Sequence, residues 1–228
     1  MPVTLIEHRE HGARNGKIAA AVRRRLEESG TPAFNLISAA GSGKTALLEC
    51  TLRALNTEME IAVVAGACRT RNDADRLARH TGHIVHAVIT DSIGHLDASQ
   101  IERALVSIDL DYTDLLLIEN VGNLICPSRW DLGEDSKIVL FSVTEGEDTP
   151  LRYRDAFTSA DYVVMTKVDL LPHLDFDMRA AVGHLHDLNP RLRLFYTSAR
   201  TGEGLQDWYD FLRERVAWVR IPPLVTTA

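Results

Sequence analysis

Cysteine is scarce: Cys50, Cys68 and Cys126 are the only three in 228 residues, odd in number and widely spaced. That pattern excludes a disulfide framework and fits a reducing compartment, so a cytoplasmic setting is expected. Long hydrophobic runs are missing as well. No stretch nears the roughly 20 apolar residues that span a bilayer, and the first residues lack the basic-then-apolar layout of a signal peptide. There is no basic excess either. The 25 Lys and Arg face 32 Asp and Glu, for a formal net charge of −7, which counts against nucleic acid as a partner. What remains is ordinary: 45% hydrophobic and 25% charged residues, enough apolar material for one substantial core in a chain of this length.

Short apolar runs alternate with helical patterns. Phe34 to Ile37, Ile61 to Val64, Val85 to Ile89, Leu115 to Ile118, Ile138 to Val143, Tyr162 to Met165 and Leu194 to Tyr196 have strand length and polar flanks. Such continuous runs suit strands buried on both faces. Helical periodicity is expected over 17–29, 72–80, 97–107, 175–187 and 205–219, where Asp207 and Trp208 fit ordinary amphipathic patterning. The alternation predicts a three-layer α/β fold with a mainly parallel sheet flanked by helices. Residues 1–16, polar and without clear period, read as a flexible arm, 17–221 as the globular domain and 222–228 as a tail after Pro222 and Pro223. His8 and His11 on that arm, and His80, His83 and His86 further on, read as solvated surface rather than a metal cluster.

The informative loop lies between the first strand and its helix, Ser38 to Thr45. It matches a phosphate-cradling G-x-x-x-x-G-K-[ST] loop at Gly43, Lys44 and Thr45 but carries Ser38 at the first glycine position. Small side chains expose the backbone N–H groups of Gly41, Ser42, Gly43, Lys44, Thr45 and Ala46 to phosphate oxygens. The helix N-terminus adds positive potential. Lys44 is expected to reach the β/γ-phosphates and the Thr45 hydroxyl to bind Mg²⁺.

Two later strands end in chemistry. Leu115 to Ile118 runs into Glu119-Asn-Val-Gly122, placing a carboxylate at the carboxyl edge of the sheet, where it can share Mg²⁺ with Thr45, and a Gly122 amide near a γ-phosphate. Tyr162 to Met165 runs into Thr166-Lys167-Val168-Asp169, similar to the guanine-reading N-K-x-D element. A carboxylate at Asp169 accepts from guanine N1–H and the 2-amino group together, a pair that adenine lacks, while the Lys167 stem lies over the base. Thr166 keeps a hydroxyl but loses the usual amide, so a weaker hold is expected. Ser198-Ala199-Arg200 resembles the S-A-K loop that contacts guanine O6. The order of the three elements points to GTP and GDP.

Residues 94–98, 119–127 and 142–151 resemble the hydrogenase nickel-incorporation GTPases of the HypB family, a likeness running from about residue 15 to residue 215. The resemblance implies a P-loop GTPase of the SIMIBI class, with slow catalysis carried by Lys44, Thr45 and Glu119. It implies a metallochaperone that dimerises with nucleotide bound, a small zinc- and nickel-binding HypA-like partner, and the [NiFe]-hydrogenase large subunit as client. It also implies Ni²⁺ or Zn²⁺ held across the dimer by His95 and Cys126. The chain departs from the family where the second strand ends: Ala67 stands at the switch aspartate, Asp73 being the nearest retained acid, and Gly94 stands at the first interface cysteine. The family's Cys-rich and His-rich N-terminal segments do not occur in this sequence. Two His-Cys pairs from two chains still make a plausible His₂Cys₂ set. Otherwise Cys126 is a small buried hydrophobe and His95 a packing residue; Cys68 is a substitute ligand to consider, and Cys50 reads as core. Losses at 67 and 94 leave open a nucleotide-dependent regulatory or scaffold protein with weak hydrolysis, or a GTPase serving another metal or client.

Overall fold

The computed structural model describes residues 4–67, 72–80, 85–90 and 94–219, with side chains from residue 12 onward. Cys68, His83, the tail, and the side chains of His8 and His11 lie outside the described residues. The chain runs α1 (Thr4–Ser29), β1 (Ala33–Ser38), α2 (Lys44–Leu55), β2 (Ile61–Ala67), α3 (Asn72–Leu77), β3 (Val85–Ile89), α4 (Ala98–Leu105), β4 (Leu115–Gly122) and β5 (Ser136–Ser142). It continues through α5 (Thr149–Arg152), α6 (Arg154–Thr158), β6 (Tyr162–Thr166), α7 (Met178–Leu188), β7 (Arg193–Thr197) and α8 (Leu205–Val219). The strands form one 7-stranded sheet in the order β3-β2-β4-β1-β5-β6-β7, and every ladder is parallel. From β1 the chain steps out to β2 and β3, returns to insert β4 between β2 and β1, then crosses to build β5, β6 and β7 on the other side. The phosphate loop therefore leaves the sheet where winding reverses, the place at which ligands collect in open α/β sheets.

Side-chain alternation along the strands makes the three layers. Phe34 and Leu36 of β1 face α2, α3 and α8, with Leu48, Leu52, Trp208 and Phe211 in the same apolar cluster. Ala33 and Ile37 face the opposite side, where Val22 and Leu26 of α1, Ile101 and Leu105 of α4, and Phe157 and Leu185 of α6 and α7 close the core. Central strands β1 and β4 are buried on both faces, as their apolar runs predict. The edge strands are not: β3 is half-buried up to an exposed Ile89 and β7 mixes buried and exposed residues, each having a single strand neighbour.

The helix expected over 17–29 runs over Thr4–Ser29 and is continuous through residue 16. A tertiary contact extends it beyond its weak periodicity. The buried Asn15 amide donates to the Asp131 carbonyl (2.7 Å) and its oxygen accepts from Ala98 N (2.9 Å), tying the helix to two loops at once. Arg23 adds an ion pair to Asp131 at 2.6 Å. No helix among the described residues is long and apolar enough to cross a membrane.

Gly133 shows how closely α1 seats. Its φ is +85°, and a Cβ there would lie 2.6 Å from the Ala19 carbonyl oxygen and 2.7 Å from Val22 Cβ. Gly133→Ala combines a left-handed backbone with overpacking and is expected to destabilise the protein by about 3 kcal/mol. Urea denaturation checks this; an unchanged midpoint would contradict the close seating of α1.

Candidate functional site

The phosphate loop is built by glycine geometry and an open helix end. Gly41 (φ +79°) and Gly43 (φ +95°) are left-handed, a conformation that costs a side-chain-bearing residue about 1–2 kcal/mol. Ser38 has no positive φ and finishes β1 as an ordinary strand residue, its buried hydroxyl donating to Ala39 O (2.8 Å). The missing first glycine is therefore not needed. α2 starts with no side-chain cap and no acid in its first turn, leaving its N–H groups for an anion. They face a cavity of about 590 Å³ lined by residues 38–46 and, opposite, by Ala67, Asp73, Arg76 and Gly122. Gly122 passes so near the loop that a Cβ on it would lie 3.2 Å from Ala40 Cα.

Glu119 sits on β4, paired in register with Leu36 of β1 and Ala65 of β2. It is 2% exposed. Its Oε1 accepts from the Thr45 hydroxyl at 2.6 Å and lies 3.7 Å from Lys44 Nζ. Its Oε2 is buried with no hydrogen-bond partner. Burial pushes the Glu119 carboxyl pKa up, against the opposing pull of Lys44 and Thr45. A buried oxygen without a donor, beside a hydroxyl and a phosphate cavity, is a donor set suited to a hard divalent cation.

The second pocket adjoins the first. It holds about 400 Å³ and is lined by Gly43, Ala46, Thr166, Lys167, Asp169 and the turn from Ser198 to Arg200, among others. Lys167 has the one positive φ (60°) among the described non-glycine residues, which turns its side chain back over the phosphate loop. Lys167 Nζ donates to Gly41 O at 2.7 Å. The Thr166 hydroxyl donates to Ser42 O at 2.5 Å. A hydroxyl is thus long enough to tie the two loops together, and the lost amide leaves no gap at this contact. In the 198–204 turn, Ser198 Oγ accepts from Arg200 N and Thr201 N (3.3 and 3.1 Å). Arg200 lies 3.9 Å from the Asp169 carboxylate. Cys50, half-buried rather than fully core, donates from α2 to Ala199 O at 3.6 Å, and burial raises its thiol pKa.

Residues 32–195 match the family described as CobW/HypB/UreG, nucleotide-binding domain. The hydrogenase maturation factor HypB of Rhizobium leguminosarum bv. viciae is 43% identical over 205 residues, 90% of this chain and 68% of that protein. This chain belongs to the HypB family. Two HypB crystal structures share its fold. That from Archaeoglobus fulgidus has TM-score 0.83 and 39% identity, covering 90% of this chain and 99% of the other. That from Helicobacter pylori, in complex with nickel, has TM-score 0.85 and 35% identity, covering 90% and 96%.

The pair expected to take a transition metal lies outside the nucleotide crevice. Asn120, buried beside Glu119, accepts from Leu96 N at 3.1 Å, and Asn123 donates to Gly94 O at 3.3 Å, so the β4 loop and residues 94–96 are held together. His95 stacks on Trp130, with ring centroids 4.5 Å apart, and its Nδ1 is buried without a partner. Burial lowers the His95 pKa, favouring the neutral imidazole that binds metals. Cys126 is free and half-buried. A Cβ at Gly94 would lie 3.9 Å from Cys126 Sγ and 2.9 Å from Asn123 Nδ2. The position that holds cysteine in the HypB pattern is therefore next to Cys126, and Asn123 crowds it here. Among the described residues no group of three or more His, Cys, Asp or Glu gathers in one chain. His80 lies 3.8 Å from Glu49, and His86 contacts Ser107 instead, so they form no cluster.

Sequence reasoning missed two residues at the crevice. Arg76 lines the phosphate cavity while held by Glu49 through Nε and Nη2 (3.0 and 2.9 Å). Its position three residues after Asp73, on the same short helix, was the available signal. Glu145 accepts from the Ser42 hydroxyl at 2.6 Å. Nothing local marks that contact, which joins residues 103 apart in sequence.

Proposed function

We propose that this HypB-family chain binds and slowly hydrolyses GTP and, as a nucleotide-controlled metallochaperone, assists nickel insertion during [NiFe]-hydrogenase maturation. The observation that carries the reading is a pair of adjoining pockets that share Gly43 and Ala46. Beside one lie a helix N-terminus, Lys44 and the Thr45–Glu119 pair; the other has Asp169 at its wall. Lys44 and the amides of residues 41–46 would neutralise charge on the β- and γ-phosphates. Thr45 and Glu119 would hold Mg²⁺, which supplies charge neutralisation between the phosphates. Asp169 would read guanine, with Lys167 over the ring and the Ser198–Arg200 turn at its edge. Hydrolysis then requires water to attack the γ-phosphorus in line as the bond to the β-phosphate oxygen breaks, releasing GDP and phosphate. Such chemistry rests on positioning and electrostatics. The G domain takes in α1 as well as the residues that follow it.

Nickel, with zinc as the other candidate, is cargo. Among the described residues one chain presents His95 and Cys126 there, so a dimer formed with nucleotide bound would supply two of each. A HypA-like protein and the hydrogenase large subunit are the expected partners, in the cytoplasm, with no role for nucleic acid or membrane. Ala67 favours one rival reading, a nucleotide-dependent scaffold with weak or no hydrolysis. The reduced ligand set at Gly94 favours another, service to a different metal or client.

Steady-state phosphate release from GTP with Mg²⁺ separates enzyme from scaffold. Turnover is expected, and none at saturating GTP would support the scaffold. If an acid at position 67 orders the attacking water, Ala67→Asp should raise kcat by about tenfold or more; an unchanged kcat would remove that role. For the cargo, calorimetry with a non-hydrolysable GTP analogue should give about one Ni²⁺ or Zn²⁺ per dimer. His95→Ala and Cys126→Ser should each weaken binding by about tenfold or more. Unaffected stoichiometry and affinity in both variants would overturn the metal assignment.

A further inference from the structure

The segment after β5 has no part in the function proposed above, yet it grips the phosphate loop from behind. Ser142 begins a tight turn over Val143–Glu145, and Glu145 Oε1 accepts from Ser142 N at 3.2 Å, an ordinary cap of its own turn. The same Oε1 accepts from Ser42 Oγ at the shorter distance of 2.6 Å. Ser42 is 1% exposed and is held again at its carbonyl by the Thr166 hydroxyl. Next to it, Gly41 O accepts from Lys167 Nζ, which also lies 3.4 Å from Thr144 Oγ1. The Glu145 backbone is fixed in turn, its carbonyl accepting from Arg152 Nη2 (2.7 Å) and from the Thr149 hydroxyl (2.9 Å).

We propose that Glu145 is a positioning residue for nucleotide binding: through Ser42 it sets the phosphate loop in its anion-receiving conformation and joins that loop to the base-reading loop. The inference rests on the guanine-nucleotide reading. The physical need is plain. Ser42 lies between two left-handed glycines, and such a segment has little intrinsic preference for one conformation, so it must be held from outside. The holds are a hydroxyl on the Ser42 carbonyl, an ammonium on the Gly41 carbonyl and a carboxylate on the Ser42 side chain. A carboxylate near a triphosphate would repel it if unmatched. Here the Ser42 hydroxyl and the Ser142 amide both donate to Oε1, and with the Lys167 and Arg152 charges they offset part of the rise in Glu145 pKa that burial causes. The single Ser42 hydroxyl proton is shared between this carboxylate and Ala39 O (2.8 Å).

The test is a double-mutant cycle on the full chain, read as Kd for GDP and for a non-hydrolysable GTP analogue. Glu145→Ala and Ser42→Ala should each raise both constants by about tenfold, as loss of one charge-assisted hydrogen bond does. The GDP-to-analogue ratio should stay constant, since the loop serves both nucleotides. The double variant should also lose about tenfold rather than about a hundredfold, because both changes break one contact. Glu145→Gln keeps an acceptor oxygen and should stay within about threefold of the unsubstituted chain. Full additivity, or an unchanged Kd in Glu145→Ala, would overturn the proposal while the unsubstituted chain still bound nucleotide. If Glu145→Ala does not fold, Ser42→Ala decides: the tenfold loss supports the proposal and an unchanged Kd overturns it. Failure of the unsubstituted chain to bind either nucleotide would overturn the guanine-nucleotide reading and this inference with it.

Discussion

A carboxylate buried between a helix N-terminus and a lysine is the arrangement on which the rest of the molecule depends. Glu119 is driven into the sheet by the apolar run before it, because β4 lies between β1 and β2 and has no water on either face. Burial alone would protonate it, and a lone buried charge is costly. Thr45 and Lys44, the first residues of α2, offset part of that cost, and the orphaned Oε2 leaves the remainder for a cation to satisfy.

Parallel topology explains how distant residues meet there. Every strand delivers its following loop to the same edge of the sheet, so β1, β4, β5 and β6 contribute the phosphate loop, the Glu119–Gly122 strand end, the Glu145 turn and the Thr166–Asp169 loop side by side. None of these loops is long, and each is fastened to a neighbour by side chain: Thr166 to Ser42, Lys167 to Gly41, Glu145 to Ser42, Asn120 to Leu96 and Asn123 to Gly94. The last two contacts fasten the end of β4 and the loop after it to residues 94–96, beside His95. Position 94 illustrates what substitution does to such a lattice. With glycine there, the Asn123 amide sits where a side chain would otherwise stand, so a cysteine at that site would have to displace it.

Much of this was legible in the residues themselves. Unbroken apolar runs marked the strands, glycine and lysine marked the phosphate loop, and Glu119 and Asp169, each picked out after an apolar run, lie against Lys44 and Thr45 and in the second pocket respectively. Edge strands β3 and β7 misled, because their apolar runs look like those of buried strands although half of each faces solvent. The first turns of α1 were hidden for a different reason. Polar side chains give weak periodicity, and the helix is held by Asn15 contacts to residues 83 and 116 positions away. Glu145 and Arg76 escaped because their partners, Ser42 and Glu49, are remote in sequence; a carboxylate in a turn or an arginine on a short helix has no local mark of such a role.

The account stands or falls on Asp169 reading guanine, and a change of base specificity tests that most directly. Xanthine carries a carbonyl where guanine has its 2-amino group, so Asp169→Asn can donate to xanthine but leaves the guanine amino group without an acceptor. Calorimetric titration of the Asp169→Asn protein should show roughly 100-fold weaker GDP binding and restored affinity for the xanthosine diphosphate. GDP binding as tight as that of the unsubstituted chain, or no gain for the xanthosine nucleotide, would contradict it.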